Sequence, residues 1–442
     1  MEDDPSAANR PGAADDELEA LQRDAFSYFV RATNPDNGLV ADNSRKDAVA
    51  SIAVVGFCLA SYAVAVERQF IGRAEAVERS LTTLRFFERS PQGEESDATG
   101  HRGFYYHFLD MKTGARTWKC ELSMVDTAFL IAGALVAMMY FDREEEGEKE
   151  IRRLAASLYE RVDWDWAMNG EPPMSMGWKP DIGFIRYNWD GYSEAIVLYA
   201  LALGSPTHPI APDGYAAWTG TYQWENLYGF EFLFAAPLFV HQLSHVWIDF
   251  RGIQDEFMRE KRSDYFENSR RATYVQRRYA IRNPKRCRGY GENGWGITAG
   301  DGPGFSKLRV GGVDRTFFDY VARGVPYGPD DGTLAPWAVA ASLPFAPEIV
   351  MPALRHMRSA YPGITKEDGA LRSFNPTYPA ADGSGSGWVC PDLYGLEQGP
   401  VVLMIENHRS GLLWRLMRRC DPLVSGLRRA GFRKAWLESG GK

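Results

Sequence analysis

The chain has 442 residues, 45% of them hydrophobic and 24% charged, a balance that allows a substantial buried core in one large domain or a few ordinary ones. A formal net charge of −8 excludes the basic footprint that nucleic-acid binding requires, so no such partner is expected. Five scattered cysteines (Cys58, Cys120, Cys287, Cys390, Cys420) without Cys-x-x-Cys spacing exclude a disulfide scaffold, a zinc ribbon and a redox motif.

Residues 1–15, "MEDDPSAANRPGAAD", are acidic and lack the basic and apolar regions of a secretory leader. They read as a disordered tail ahead of a single domain over 16–442. Helical periodicity dominates that domain. The first six predicted helices are 18–32, 48–68, 72–88, 121–141, 146–162 and 192–203. The remaining six are 228–247, 254–278, 335–343, 347–359, 398–406 and 410–418. Helices 48–68, 121–141 and 192–203 are apolar nearly all round, which marks burial, whereas 72–88 and 146–162 are amphipathic and keep one solvated face.

Inner and outer helices in alternation predict an all-α fold, an (α/α)6 toroid of six helical hairpins with long loops on one face. The alternation is clear for three pairs and then blurs. Pro237 is expected to kink the helix over 228–247. Residues 283–333 read as loops and short strands, an excursion long enough to suggest function. The longest apolar run, 131–140, is too short to span a membrane. A soluble, cytoplasmic chain without membrane insertion is therefore expected.

The segments leading into the apolar helices share a composition. They read "WKCELSMVD", "YNWDGYSE", "YGPDDGTLAPW" and "PDLYGLEQGP", and each mixes carboxylates with aromatic rings. In a toroid the inner-helix N-termini open on one face, so these groups would converge there. Acids for proton transfer and flat rings for the C–H faces of pyranoses are the requirements of a cleft that cleaves a sugar polymer.

Within these segments Glu194 is the first candidate for general acid. It falls in the first turn of the predicted helix, where the dipole favours the anion, so burial or a second carboxylate must raise its pKa. Asp190 reads first as an N-cap and second as a sugar ligand beside Trp189 and Tyr192. Ser123 and Asp126 fit a capping box. Glu121, about 140° away around a helix, is not expected to share a face with Asp126. Asp330 and Asp331 read first as turn residues, and Glu397 reads first as helix-start decoration and second as a substrate-binding group.

His241 and His245 are spaced i, i+4, but "HQLSH" lacks the His-Glu-x-x-His pattern. They read as core histidines, and neither metal nor cofactor is expected. "GYSEA" lacks the preceding strand of a nucleophile elbow, and "GENGWGITAGDGPG" lacks the Lys-Ser/Thr ending of a phosphate loop. Trp388 follows "ADGSGSG" and is expected to stack on sugar from a flexible loop that closes over the site.

Five stretches carry a wider likeness: "GFYYHFLDMKTGARTWKCELSMVDTAFLIAGAL", "YNWDGYSEAIVLYALALGSPTHP", "LFVHQLSHVWIDFRGI", "WGITAGDGP" and "LYGLEQGPVVLMIENHRSGLLW". In them the chain resembles the glucoamylase-like family that includes bacterial β-1,2-glucanases, glycoside hydrolase family 144. The resemblance implies an (α/α)6 fold and inverting hydrolysis of β-1,2-linked glucan or its oligosaccharides, with two carboxylates as general acid and base. It implies that Glu194 matches the essential acid, that Asp126 matches the acidic helix-start segment of the pocket, and that Glu121 is its neighbour. Glu397 stands where aspartate is more usual, and relatives are often exported to the periplasm. Two alternatives stay open: a transglycosylase of cyclic β-glucan metabolism, and a sugar-binding protein without turnover.

Overall fold

The computed structural model describes residues 13–365, 368–380 and 387–439, so most of the tail over 1–15 and most of the "ADGSGSG" stretch lie outside the described residues. In chain order the helices begin α1 (Ala13–Ala32), α2 (Ile52–Glu67), α3 (Arg73–Arg89), α4 (Met124–Tyr140), α5 (Glu146–Glu160), α6 (Ile196–Gly204) and α7 (Pro212–Thr219). They continue as α8 (Leu243–Trp247), α9 (Glu256–Glu260), α10 (Tyr265–Arg282), α11 (Pro336–Ala341), α12 (Pro347–Ala360) and α13 (Gly395–Arg409). Three short helices, α14 (Leu412–Met417), α15 (Asp421–Arg429) and α16 (Trp436–Ser439), follow.

Six of these, α2, α4, α6, α8, α11 and α13, are buried along nearly their whole length. Each follows an outer helix, and most outer helices keep a polar face in solvent: α1, α3, α5, α10 and α12. The inner helices pack as neighbours, α2 on α4, α4 on α6, α6 on α8, α11 on α13 and α13 on α2. Gln242, just ahead of α8, closes the ring by donating to Ala338 O (2.6 Å) and Ser342 Oγ (2.8 Å) of the α11 segment. The fold is an (α/α)6 toroid.

The closest crossing in the ring needs two glycines. A Cβ on Gly56 of α2 would stand 2.2 Å from Phe129 O, and one on Gly133 of α4 would stand 2.1 Å from Gly56 O. Backbone therefore meets backbone here, and a side chain at either position would force the helices apart.

Several predicted elements differ from those observed. The helix expected over 228–247 is observed only at its end, as α8; ahead of it stands a hairpin, Trp224–Leu227 against Phe230–Leu233. Its two-residue turn places Tyr228 (φ 56°) and Gly229 (φ 87°) in the left-handed region, the requirement of a type I′ turn. Pro237 consequently kinks nothing and only precedes a 3₁₀ turn, Leu238–His241. The helix expected over 254–278 is two, because Asp255 and Asp264 each cap a new start, accepting from Met258 N and Glu267 N (both 2.8 Å). Helix α4 begins at Met124 rather than 121, since Leu122–Ser123 is a strand paired with Gly177–Lys179. Helices α7 and α15 were not predicted: α7 has only a weak amphipathic period, and α15, although strongly amphipathic, spans only nine residues.

The excursion over 283–333 contains a hairpin, Ser306–Val310 with Val313–Phe317, and a pairing of Ala299–Gly300 with Val321–Ala322. A buried ion pair holds it. Arg323 donates from Nε to Asp331 Oδ1 (2.8 Å), from Nη2 to Asp331 Oδ2 (2.9 Å) and from Nη1 to Gly300 O (2.8 Å). Asp331 is thus a lock rather than a simple turn residue. Asp330 accepts from the hydroxyls of Tyr279 and Tyr290 at 2.7 and 2.6 Å. Breaking such a buried pair from one side costs about 3–5 kcal/mol, because the remaining charge is stranded.

Candidate active site

All six inner helices contribute their N-terminal ends to one cavity of about 560 Å³. Ser51 and Ala53 come from α2, Ser123 and Asp126 from α4, and Glu194 from the turn before α6. Leu243, Trp337 and Glu397 represent α8, α11 and α13. The convergence expected from the composition of the lead-in segments is therefore what the ring produces.

Glu194 is not in the helix. The carbonyl of Gly191 accepts from Trp218 Nε1 and its N–H donates to Thr221 Oγ1 (both 2.8 Å), with Gly191 at φ 68°. These bonds hold the chain aside until Ile196, so Asp190 caps nothing; Ala195 takes that position without a side-chain cap. The backbone of Glu194 is anchored to α8 through Ser244 Oγ, which donates to its carbonyl (2.6 Å). Its carboxyl faces the cavity, where burial raises its pKa to about 7. Its own backbone N–H pulls the other way, and the charge of Asp126 adds to the rise.

On the neighbouring wall one imidazole joins two carboxylates that were not expected to share a face. His107 Nδ1 lies 2.9 Å from Glu121 Oε1, and His107 Nε2 lies 3.5 Å from Asp126 Oδ2. The helical estimate failed because Glu121 precedes a strand rather than lying in α4. Ser123 both caps α4, accepting from Asp126 N (3.3 Å), and donates its hydroxyl to Asp126 Oδ2 (2.5 Å). The capping pattern and the cavity position of Asp126 therefore coexist. Burial opposes charge on His107, but Asp126, Glu121 and Asp42 outweigh it and raise its pKa to about 9. The hydrogen bond from His107, opposed by burial and reinforced by the imidazolium charge, lowers Glu121 to about 2.

Glu397 comes from α13, three places round the ring from α6. Burial raises its pKa to about 8 against a hydrogen bond from Ser373 Oγ (3.4 Å), with Asp301 and Asp42 adding to the rise. Asp301, from the glycine-rich "AGDGP" turn, accepts from Tyr394 Oη (2.7 Å) and pairs with Arg45 (3.0 Å). Tyr320, from the end of the excursion, lines the mouth while 59% exposed.

Of the predicted sugar contacts, Trp189 lines the cavity and is buried. Tyr192 is buried beneath it in a ring cluster with Tyr222, His241 and Tyr265. Asp190 is exposed and stands outside the lining. Trp388 is also outside it, half-buried in a two-residue strand opposite Asn375. His241 and His245 are core residues whose pKa values burial lowers to about 4 and about 3. His107, Asp42, Asp301, Tyr320 and Tyr394 were missed. Asp42 had the same signal as the others, a carboxylate just ahead of an apolar helix. His107 and Asp301 carried no signal apart from lying in stretches, "YYHFLD" and "TAGDGP", that carry the family resemblance.

Fold and cavity together define an (α/α)6 toroid with an acid-lined centre. The chain belongs to the glucoamylase-like family, whose model, described as "Putative glucoamylase", matches residues 186–421. It is 29% identical over 461 residues to an exo-β-1,2-glucooligosaccharide sophorohydrolase (non-reducing end) of Parabacteroides distasonis, an alignment covering 96% of this chain. The chain spans only 59% of that curated relative's length. A crystal structure of a "putative glucoamylase" from Bacteroides uniformis superposes with a TM-score of 0.83 at 30% identity, over 96% of this chain and 98% of the other. An endo-β-1,2-glucanase from Chitinophaga pinensis, solved with sophorotriose and glucose, superposes with a TM-score of 0.81 at 26% identity, over 96% and 99%. Among the described residues no helix is long and apolar enough to cross a membrane.

Proposed function

We propose that this protein is a glycoside hydrolase that cleaves β-1,2-linked glucan or its oligosaccharides with inversion. What supports the reading most is Glu194, a carboxyl kept protonated near neutrality in a cavity that also holds carboxylates paired with an imidazolium. The names of the Parabacteroides and Chitinophaga relatives point to the same linkage.

In this reading Glu194 protonates the leaving glycosidic oxygen. A proton donor with a pKa near the working pH is the efficient choice. Water must be activated by a carboxylate on the other side of the sugar. Glu121, near 2, is too weak a base, and Glu397, near 8, carries its proton at neutral pH and serves as a donor to a sugar hydroxyl. Asp126 is left as the base, with Ser123 and His107 orienting its carboxylate. Its charge also helps Glu194 keep its proton. Trp189 provides an apolar wall for the ring.

The test is a screen of linkage-defined gluco-oligosaccharides with product analysis by chromatography and proton NMR. New reducing ends from β-1,2 linkages alone, released as the α-anomer, are expected. Longer or cyclic products would mean transfer, and binding without turnover would mean a sugar-binding protein.

A further inference from the structure

The turn just ahead of Glu121 presents an apolar ring to water. Within 116–120, Cys120 N donates to Thr117 O (3.0 Å) and Arg116 Nε donates to Cys120 O (2.6 Å). The Arg116 guanidinium also lies 4.7 Å over the Tyr106 ring. The turn is therefore braced rather than loose. At its tip Trp118 (φ 53°) and Lys119 (φ 50°) adopt the left-handed conformation in succession, which residues with a Cβ rarely do. This conformation leaves Trp118 69% exposed, although tryptophan is ordinarily well buried.

Trp118 is also continuous with the cavity. Its ring centroid lies 5.1 Å from that of Phe108, at 56°. Phe108 lines the cavity and stacks on His107 at 4.0 Å and 10°. A row of rings thus runs from solvent to the imidazolium that holds Glu121 and Asp126. Aromatic surface continuous with an acid-lined, largely apolar cavity is what a ligand extending out of that cavity would meet. The ligand that suits both ends is a chain with flat C–H faces and many hydroxyls.

We propose that Trp118 is a sugar-stacking platform outside the cavity, binding glucose units of a gluco-oligosaccharide that extends beyond the point of cleavage. The proposal rests on the reading of the cavity as a glucan-cleaving site. Trp118 touches no reacting group; it selects longer chains, and Phe108 carries the chain inward.

The experiment compares kcat/KM of the full chain on short and long β-1,2-gluco-oligosaccharides for the wild type, Trp118→Ala and Trp118→Phe. The long-to-short ratio should fall about 10-fold in Trp118→Ala, by analogy with base stacking on aromatic rings. The fall should appear in KM rather than kcat, and Trp118→Phe should restore most of it. An unchanged ratio, or an equal loss on short and long chains, would overturn the platform. Calorimetric titration with the same oligosaccharides separates this from failure of the catalytic reading. If the wild type binds without cleaving, weaker binding of long chains by Trp118→Ala still upholds the platform, and unchanged binding overturns it. A concentration-dependent dimer abolished by Trp118→Ala would assign the ring to a second copy of the chain and also overturn it.

Discussion

Glu121 and Glu194 are the same residue type, both line one cavity, and each stands within three residues of an inner-helix start. They nevertheless rest in opposite states, about 2 for Glu121 and about 7 for Glu194. Glu121 has the His107 ring at 2.9 Å. The neighbouring charge that Glu194 feels is that of Asp126, which acts with burial to raise it. A carboxyl's role here is set by one neighbouring imidazole, since residue type and helix position are shared. The dipole argument made from sequence fails at Glu194 for the same reason, because the residue lies ahead of the helix and desolvation decides its state.

The largest effect should come from removing the titratable member of the pair. Glu194→Gln keeps the shape and removes the proton, so turnover of β-1,2-gluco-oligosaccharides should fall by at least about 100-fold. Aryl glucosides with good leaving groups should be affected much less, since they need no protonation. Equal losses on both substrate types would argue that Glu194 is not the proton donor.

His107→Gln should make the two glutamates more alike. Without the imidazolium, Glu121 loses the hydrogen bond and the charge that hold it low, and Asp126 loses an orienting partner at 3.5 Å. Turnover should fall about tenfold, the order of one lost hydrogen bond to a charged group. A variant that keeps the wild-type kcat/KM would show that His107 does not position the acids.

A smaller and independent readout is the pH dependence of stability. Glu194 has its folded pKa raised from 4.5 to about 7, so its stabilising contribution is complete below about 4.5 and is lost as pH rises through about 7. Glu121, depressed from 4.5 to about 2, behaves oppositely, its contribution being present above about 4.5 and lost as pH falls through about 2. Scanning calorimetry should therefore find Glu194→Gln gaining on the wild type as pH rises from about 4.5 to about 7, by about 1–3 °C in Tm. A Tm difference that stays constant across that range would contradict the assigned state of Glu194.

The smallest effect is expected at Asp190, the residue that sequence pairs with Glu194. It is exposed and outside the cavity lining, so Asp190→Asn should change kcat/KM by less than about twofold, as surface substitutions usually do. A loss comparable with that of Glu194→Gln would mean that the substrate reaches past the lining seen here.

Sequence by itself determined the toroid, because all-round apolar helices such as those predicted over 48–68 and 121–141 can only be buried and must be flanked by amphipathic partners. It also determined that carboxylates and rings gather at one face, since the inner helices all start there. It could not place the lead-in segments. The late start of α6 depends on Trp218 and Thr221 holding Gly191, and the strand before α4 depends on pairing with Gly177–Lys179. Only tertiary structure brought His107 between Glu121 and Asp126, or carried Asp301 and Tyr320 to the mouth on a segment locked by Arg323 and Asp331. The reason is physical: helix burial follows from local periodicity, whereas the protonation of a carboxyl depends on desolvation and on charges a few ångströms away, which residues distant in sequence supply.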